Sequence, residues 1–114
     1  MVGIALKFAK SSSDARKRSL AQAEVAVAQS GSDKQAAAKT FDLALESAGK
    51  IDAPGSKAYA LGDVAKKLSE AGFRARAREV LDQAEVVAAK IREVDLQGQA
   101  VQYIQALRGK LPRP

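Results

Sequence analysis

The feature that most constrains the fold of this chain is an internal repeat with an offset of 40 or 41 residues. At an offset of 41 the matching pairs are Leu20 and Leu61, Ala23 and Val64, Val27 and Leu68, and Gly31 and Gly72. One residue is inserted in the first loop, after which an offset of 40 pairs Ala37 with Ala77, Phe41 with Leu81, Ala44 with Ala84, Ala48 with Ala88, and Ile51 with Ile91. A third match, 40 residues further on, pairs Ala60, Leu61 and Val64 with Ala100, Val101 and Ile104. A single register over most of the chain predicts a supersecondary unit that occurs twice and begins a third time.

The spacing of apolar residues within each unit is typical of amphipathic helices, because it returns to one face every three or four residues. We expect five helices. They cover about residues 14–30, 32–49 and 55–71, then about 20 residues from Phe73, and finally a segment after the break at "REVDLQG". Ser32 and Gln35 have the spacing of a capping box at the start of the second helix. Gly31 is expected to end the first helix in the left-handed conformation that glycine adopts without strain. Gly72 is expected to end the third helix and to permit the abrupt reversal of the chain.

The composition supports an all-α fold held together by close helix contacts. Alanine, the strongest helix former, supplies 24 of the 114 residues, while aromatic residues make up 4%. Small side chains bury little area each, so stability must come from close approach of helices over many contacts.

At the repeated positions the chain resembles the tetratricopeptide repeat (TPR) superfamily. The second unit fits the family pattern at Leu61, Val64, Ala65, Leu68, Gly72, Ala77, Leu81 and Ala84. The first unit fits it at Leu20, Ala23, Val27, Gly31, Ala37, Phe41 and Ala44. The resemblance covers residues 14–107 and implies TPR-like antiparallel hairpins, about five helices in a short right-handed solenoid. We therefore expect an N-terminal arm or short helix over 1–13, a TPR-like domain over 14–109, and a tail over 110–114.

Three departures from the family pattern accompany this resemblance. The family repeat has roughly 34 residues, whereas the units of this chain have 40 or 41. Ala89 stands near the place of the usual closing proline, and Glu24 and Gln105 occupy positions where the family has a small residue.

The residue inventory excludes several kinds of chemistry. The chain has no Cys and no His, which removes thiolate nucleophiles, imidazole bases and the usual zinc ligands. Glu79, Asp82 and Glu85 recur at helical spacing, and we interpret them as a solvated helix face. The serine run at 11–13 is interpreted as a helix cap. We expect no enzymatic activity, no catalytic residue, no metal and no cofactor.

The resemblance implies a concave groove lined by the first helix of each unit. The implied groove positions are Arg18, Ala21, Val25, Ala28, Tyr59, Gly62, Lys66, Gln99, Gln102 and Ala106. Val25 and Ala28 lie off the apolar stripe of their helix, which indicates a surface that is covered by a partner. Tyr59 is a candidate anchor, while Arg18 and Lys66 could hold acidic groups. The expected function is a non-enzymatic protein–protein interaction module, or scaffold, that binds a peptide or helix in this groove.

Other functions remain open at this stage. The net charge is +6, and basic residues cluster at Arg16, Lys17 and Arg18, at Arg74, Arg76 and Arg78, and at Arg108, Lys110 and Arg113. These clusters permit nucleic-acid binding by a basic helical domain. A purely structural helical bundle, with the groove filled by the N-terminal arm, and a homodimer are further alternatives. No apolar run approaches the roughly 18 residues of a membrane span. We expect no secretory signal and a cytoplasmic location.

Overall fold

The structure, a computed structural model, describes the backbone of residues 12–111 and the side chains of residues 14–111. All the regular secondary structure in this range is helical, which confirms the all-α class for the described part of the chain. The five helices are α1 Ser12–Ser30, α2 Lys34–Gly49, α3 Pro54–Glu70, α4 Arg74–Ala88 and α5 Val94–Lys110. The expected arm at 1–13 lies outside the described residues except for residues 12 and 13, where α1 begins, and residues 112–114 of the expected tail also lie outside them.

The cap of α2 differs from the expected capping box. Asp33, not Ser32, is the residue that precedes the helix, and its carboxylate accepts a hydrogen bond from the Ala36 N–H at 3.1 Å. The Ser32 hydroxyl instead donates back to the carbonyl of Gln29. A carboxylate is favoured at this position because it also interacts with the positive end of the helix dipole.

The fourth helix is shorter than expected, and the fifth begins inside the segment that was expected to separate them. α4 has 15 residues, and α5 begins at Val94 after a connection of five residues. The side-chain amide of Gln97 donates to the carbonyls of Ala89 (3.1 Å) and Ile91 (3.2 Å), which stabilises this turn. Ile91 is buried, as expected, but it lies in the connection and not in a helix.

The two glycine turns are not equivalent. Gly72, expected to end its helix and permit the reversal, has a φ of 90°, and the Phe73 N–H donates to the Leu68 carbonyl across the turn. Gly31 does not have a positive φ, so the expectation for it was wrong. The two connections are equally long, residues 31–33 and 71–73, so no residue is inserted in the first turn. That turn closes through a hydrogen bond from the Asp33 N–H to the Gln29 carbonyl.

The core follows the predicted apolar faces closely. The largest side chains that are fully buried are Phe41, Ile51, Leu68, Leu81, Ile104, Val64 and Val80. Alanines with no exposed surface lie between the helices at positions 23, 26, 37, 44, 48, 77, 84 and 88, which allows close helix approach. Leu20, Val27, Leu45 and Val101, all expected inside, are half-buried because each lies at the border of its buried face.

The helices form two layers. α1 and α2 are antiparallel, because Ser19 in the first half of α1 donates to the Ala44 carbonyl in the second half of α2. α3 contacts both α1 and α5, while α2 contacts α1 and α3, and α4 contacts α3 and α5. The Cα atoms span 41 × 40 × 14 Å, and two helices packed about 10 Å apart account for the shortest dimension. We call the layer of α1, α3 and α5 the first-helix wall.

Candidate functional site

The middle of the first-helix wall is a polar stripe on α3. Tyr59, Asp63 and Lys66 follow each other at intervals of four and three residues, so they lie on one side of the helix. The buried residues Leu61 and Leu68 lie on the opposite side. The stripe therefore faces away from α2 and α4, with α1 on one flank and α5 on the other.

Asp63 connects all three helices of the wall. Its carboxylate accepts a hydrogen bond from the Tyr103 hydroxyl of α5 at 2.5 Å and forms an ion pair with Arg16 of α1 at 3.5 Å. The Arg16 guanidinium also lies 5.4 Å from the ring centroid of Tyr59, and the Tyr59 and Tyr103 rings are 5.2 Å apart. We call Arg16, Tyr59, Asp63 and Tyr103 the polar cluster.

The protonation state of Tyr103 fits its role in the polar cluster. Burial raises the pKa of the Tyr103 hydroxyl above its ordinary value, and the hydrogen bond to Asp63 raises it further. The hydroxyl therefore keeps its proton at neutral pH and remains a donor to the carboxylate. This hydrogen bond links α3 to α5 on the outer side of the wall.

Gly62 is buried, although the groove pattern implied an exposed position. A Cβ atom at Gly62 would lie 2.7 Å from Cε2 of Tyr103 and 3.4 Å from Cδ1 of Leu107. The absence of a side chain therefore allows α5 to pack closely against α3, and the Tyr103 ring covers the position. Gly62 shapes the wall without itself being accessible.

The other implied groove positions fall into two groups. Tyr59 is half-buried in the polar cluster, and Arg18 is also half-buried, with its Nε donating to the Ser47 hydroxyl of α2 at 3.1 Å. Arg18 is thus directed to the outer flank of α1, away from α3. The exposed positions are Ala21, Val25, Ala28, Lys66, Gln99, Gln102 and Ala106. The structure brings Tyr59 and Gly62 together beside α5, whereas it separates Arg18 from them.

A cleft lies at the end of the wall where α3 and α5 begin. Its volume is about 730 Å³, and its lining includes Arg16, Pro54, Tyr59, Lys90, Arg92 and Leu96. We call it the basic cleft. A smaller cavity of about 190 Å³ lies at the other end, between the last turns of α3 and α5, where Leu81 and Leu107 line it.

Sequence reasoning missed Arg16, Asp63 and Tyr103 as site residues. One signal was present, because Asp63 and Tyr103 are 40 residues apart and so occupy the same position in successive units. Tyr59 also precedes Asp63 by four residues, the spacing of neighbours on one helix face. The contact with Arg16 has no such signal, since the two residues are separated by 47 positions and belong to different repeat positions.

In each basic cluster noted in the sequence an arginine forms an ion pair, namely Arg16, Arg76 and Arg108. Asp82 and Glu85 both accept hydrogen bonds from Arg108, at 2.5 and 2.7 Å, and the bond with Asp82 raises the pKa of Arg108. Arg76 pairs with Asp42 and thereby joins α4 to α2. Within the described range, no three acidic side chains are grouped as metal ligands would be. These ion pairs neutralise part of the positive charge in each basic cluster.

Comparisons of this chain with protein-family models, with curated proteins and with solved structures found no match. None of the helices between residues 12 and 111 has both the length and the apolar character needed to cross a membrane. The functional interpretation therefore depends on the geometry of the first-helix wall and the cleft at its end.

Proposed function

We propose that this chain is a TPR-like, short right-handed solenoid that acts as a non-enzymatic interaction module and binds a peptide or helix along the first-helix wall. The observation that carries this proposal is the side-by-side contact of α1 with α3 and of α3 with α5. The outward faces of these helices form one continuous surface, and no other described element covers it. An uncovered surface of this shape suits an extended or helical segment of a partner.

The composition of the wall supports the same function. On α1, Ala21 and Ala28 are small and exposed, whereas Val25, with 53% of its surface exposed, lies seven residues after Arg18 and therefore on the same flank of the helix, away from α3. On α5, Gln102 and Ala106 are exposed and uncharged. Small and uncharged side chains let a peptide backbone approach closely, and they restrict the sequence of the peptide little. The tyrosines of the polar cluster provide rigid contact area at the centre of the wall.

Selection of random peptides displayed on phage against the immobilised full chain tests this function. Peptides that survive competition with soluble chain are synthesised, and their affinity is measured by fluorescence anisotropy. Ala106→Glu, at an exposed position of α5 on the wall, is expected to weaken binding at least tenfold. Val86→Glu is the matched control, because Val86 exposes 62% of its surface on the outer side of α4, and it should change affinity less than twofold.

A second wall variant, Tyr59→Ala, should also weaken binding while retaining the helical circular-dichroism spectrum. Equal effects of the Ala106 and Val86 substitutions would contradict the proposal, and so would a selection that yields no competable peptide. Binding along the wall should weaken less steeply with salt than a complex held mainly by phosphate contacts.

A further inference from the structure

We propose that the basic cleft is the anchor point for an acidic peptide segment that also carries a bulky apolar side chain. This inference rests on the proposed function and names the chemistry of the partner. The cleft lies at one end of the first-helix wall and shares Tyr59 with it, so a peptide lying along the wall reaches the cleft without leaving the surface.

The floor of the cleft is apolar and large enough for a bulky side chain. Tyr59, Ile91 and Leu96 line it, and Leu96 leaves 45% of its surface exposed. The volume of about 730 Å³ lies within the range of roughly 300–1,000 Å³ that is typical of ligand pockets. Burial of a leucine or phenylalanine side chain there would cover Leu96 and remove apolar surface from water.

The rim of the cleft is basic. Lys90 and Arg92 line it and are exposed, and within the described part of the chain neither forms an ion pair or a side-chain hydrogen bond. Arg16 adds a third cation, which is paired with Asp63 but keeps 43% of its side chain exposed. Glu93 is the acidic residue in the lining. The cations Lys90 and Arg92, unpaired within the described residues, outnumber the single acidic residue of the lining and attract an acidic ligand, and arginine can hold a carboxylate through two hydrogen bonds.

Charge and aromatic content favour an acidic peptide over two other occupants. The first eleven residues of this chain contain Lys7 and Lys10 and no acidic residue, so the rim repels them. A single-stranded nucleic acid needs aromatic faces on which bases can stack. Tyr59 is the aromatic residue of the cleft, and its ring already contacts Tyr103 and Arg16.

The test uses peptides from the phage selection against the full chain. Enriched sequences are expected to contain more Asp and Glu than the starting library, next to a Leu, Ile or Phe. The double variant Lys90→Glu, Arg92→Glu should weaken the best peptide at least tenfold. The matched control, Lys39→Glu with Arg74→Glu, makes the same change in net charge at exposed positions of α2 and α4 outside the cleft. It should weaken binding less than threefold.

The outcomes separate the two proposals. If Ala106→Glu abolishes binding but the Lys90 and Arg92 reversal does not, the wall binds peptides and the anchor assignment is wrong. Replacement of every Asp and Glu in the peptide by Asn and Gln without loss of affinity would also overturn the anchor. Displacement of the peptide by an unlabelled DNA oligonucleotide at lower concentration than by the peptide itself would assign the cleft to nucleic acid instead. A selection without competable peptides overturns both proposals.

Discussion

Replacement of Gly62 by alanine gives the sharpest test of how α3 and α5 pack. Alanine is favoured over glycine by about 1 kcal/mol in the interior of a helix. Helix propensity alone therefore predicts that Gly62→Ala stabilises α3. The structure predicts the opposite sign, because the new Cβ would lie 2.7 Å from the Tyr103 ring.

The expected loss follows from what the Tyr103 ring must give up when it moves. Its hydroxyl donates to the Asp63 carboxylate, and a hydrogen bond to a charged group contributes about 1.5–3 kcal/mol. Its ring pairs with Tyr59, a contact that contributes about 0.5–1.5 kcal/mol. After the propensity gain is subtracted, Gly62→Ala should lower the free energy of unfolding by about 1–3.5 kcal/mol.

Urea unfolding followed by circular dichroism at 222 nm measures this free energy. Gly98→Ala is the control, since Gly98 lies in α5 and a Cβ atom added there would meet no neighbouring side chain within 4 Å. That substitution should raise stability by about 0.5–1 kcal/mol. In a Tyr103→Ala background, Gly62→Ala should no longer be destabilising. If Gly62→Ala stabilises the wild-type chain as much as Gly98→Ala does, the close approach of α3 and α5 is refuted.

Three further predictions concern single side chains. Asp33→Ala should lower the free energy of unfolding by about 1 kcal/mol through loss of the α2 cap, while Ser32→Ala changes it by only a few tenths; urea midpoints distinguish the two. The pKa of Tyr103 is raised in the folded state, so its contribution to stability is complete below the unfolded-state value of about 10 and declines as pH rises above it. Unfolding at pH 8 to 11 should show that decline in wild type, and Tyr103→Phe should reduce it. Arg108→Ala should cost about 0.5–1 kcal/mol at low salt, because Asp82 and Glu85 are exposed, and less in 1 M NaCl.

The helices and their buried faces could be predicted because both depend on local sequence. Phe41, Leu68 and Leu81 occupy the predicted inward positions and are fully buried. The spacing of apolar residues determines which face of a helix can leave water, whatever element then covers it. The repeat adds the expectation that successive units pack in the same way.

Competition between neighbouring residues explains why the predicted start of α2 and the predicted end of α4 were wrong. Ser32 and Asp33 are adjacent and both can cap a helix, so the choice depends on which backbone N–H lies within reach once the turn has formed. The end of α4 depends on Gln97, whose amide satisfies carbonyls that lie outside its own helix. Neither outcome is encoded in the propensity of one residue.

The polar cluster could not be predicted from spacing, because it is assembled by tertiary contacts. Arg16, Asp63 and Tyr103 come from three helices, and their side chains meet only after α1, α3 and α5 lie side by side. The basic cleft has the same origin, since its rim combines α1 with the connection between α4 and α5. Sequence reasoning identified Tyr59, which belongs to both, but gave no indication of its neighbours.

Paramagnetic relaxation in a ¹⁵N-labelled sample of the full chain tests the central claim most directly. A selected peptide that carries a nitroxide label is titrated in, and the broadening of each backbone amide resonance is measured. Binding along the first-helix wall predicts broadening at Ala21, Lys66 and Gln102, with Leu43 and Val86 on the outer surfaces of α2 and α4 unaffected. Broadening centred on Leu43 and Val86 would contradict the account, because the partner would then bind the opposite layer.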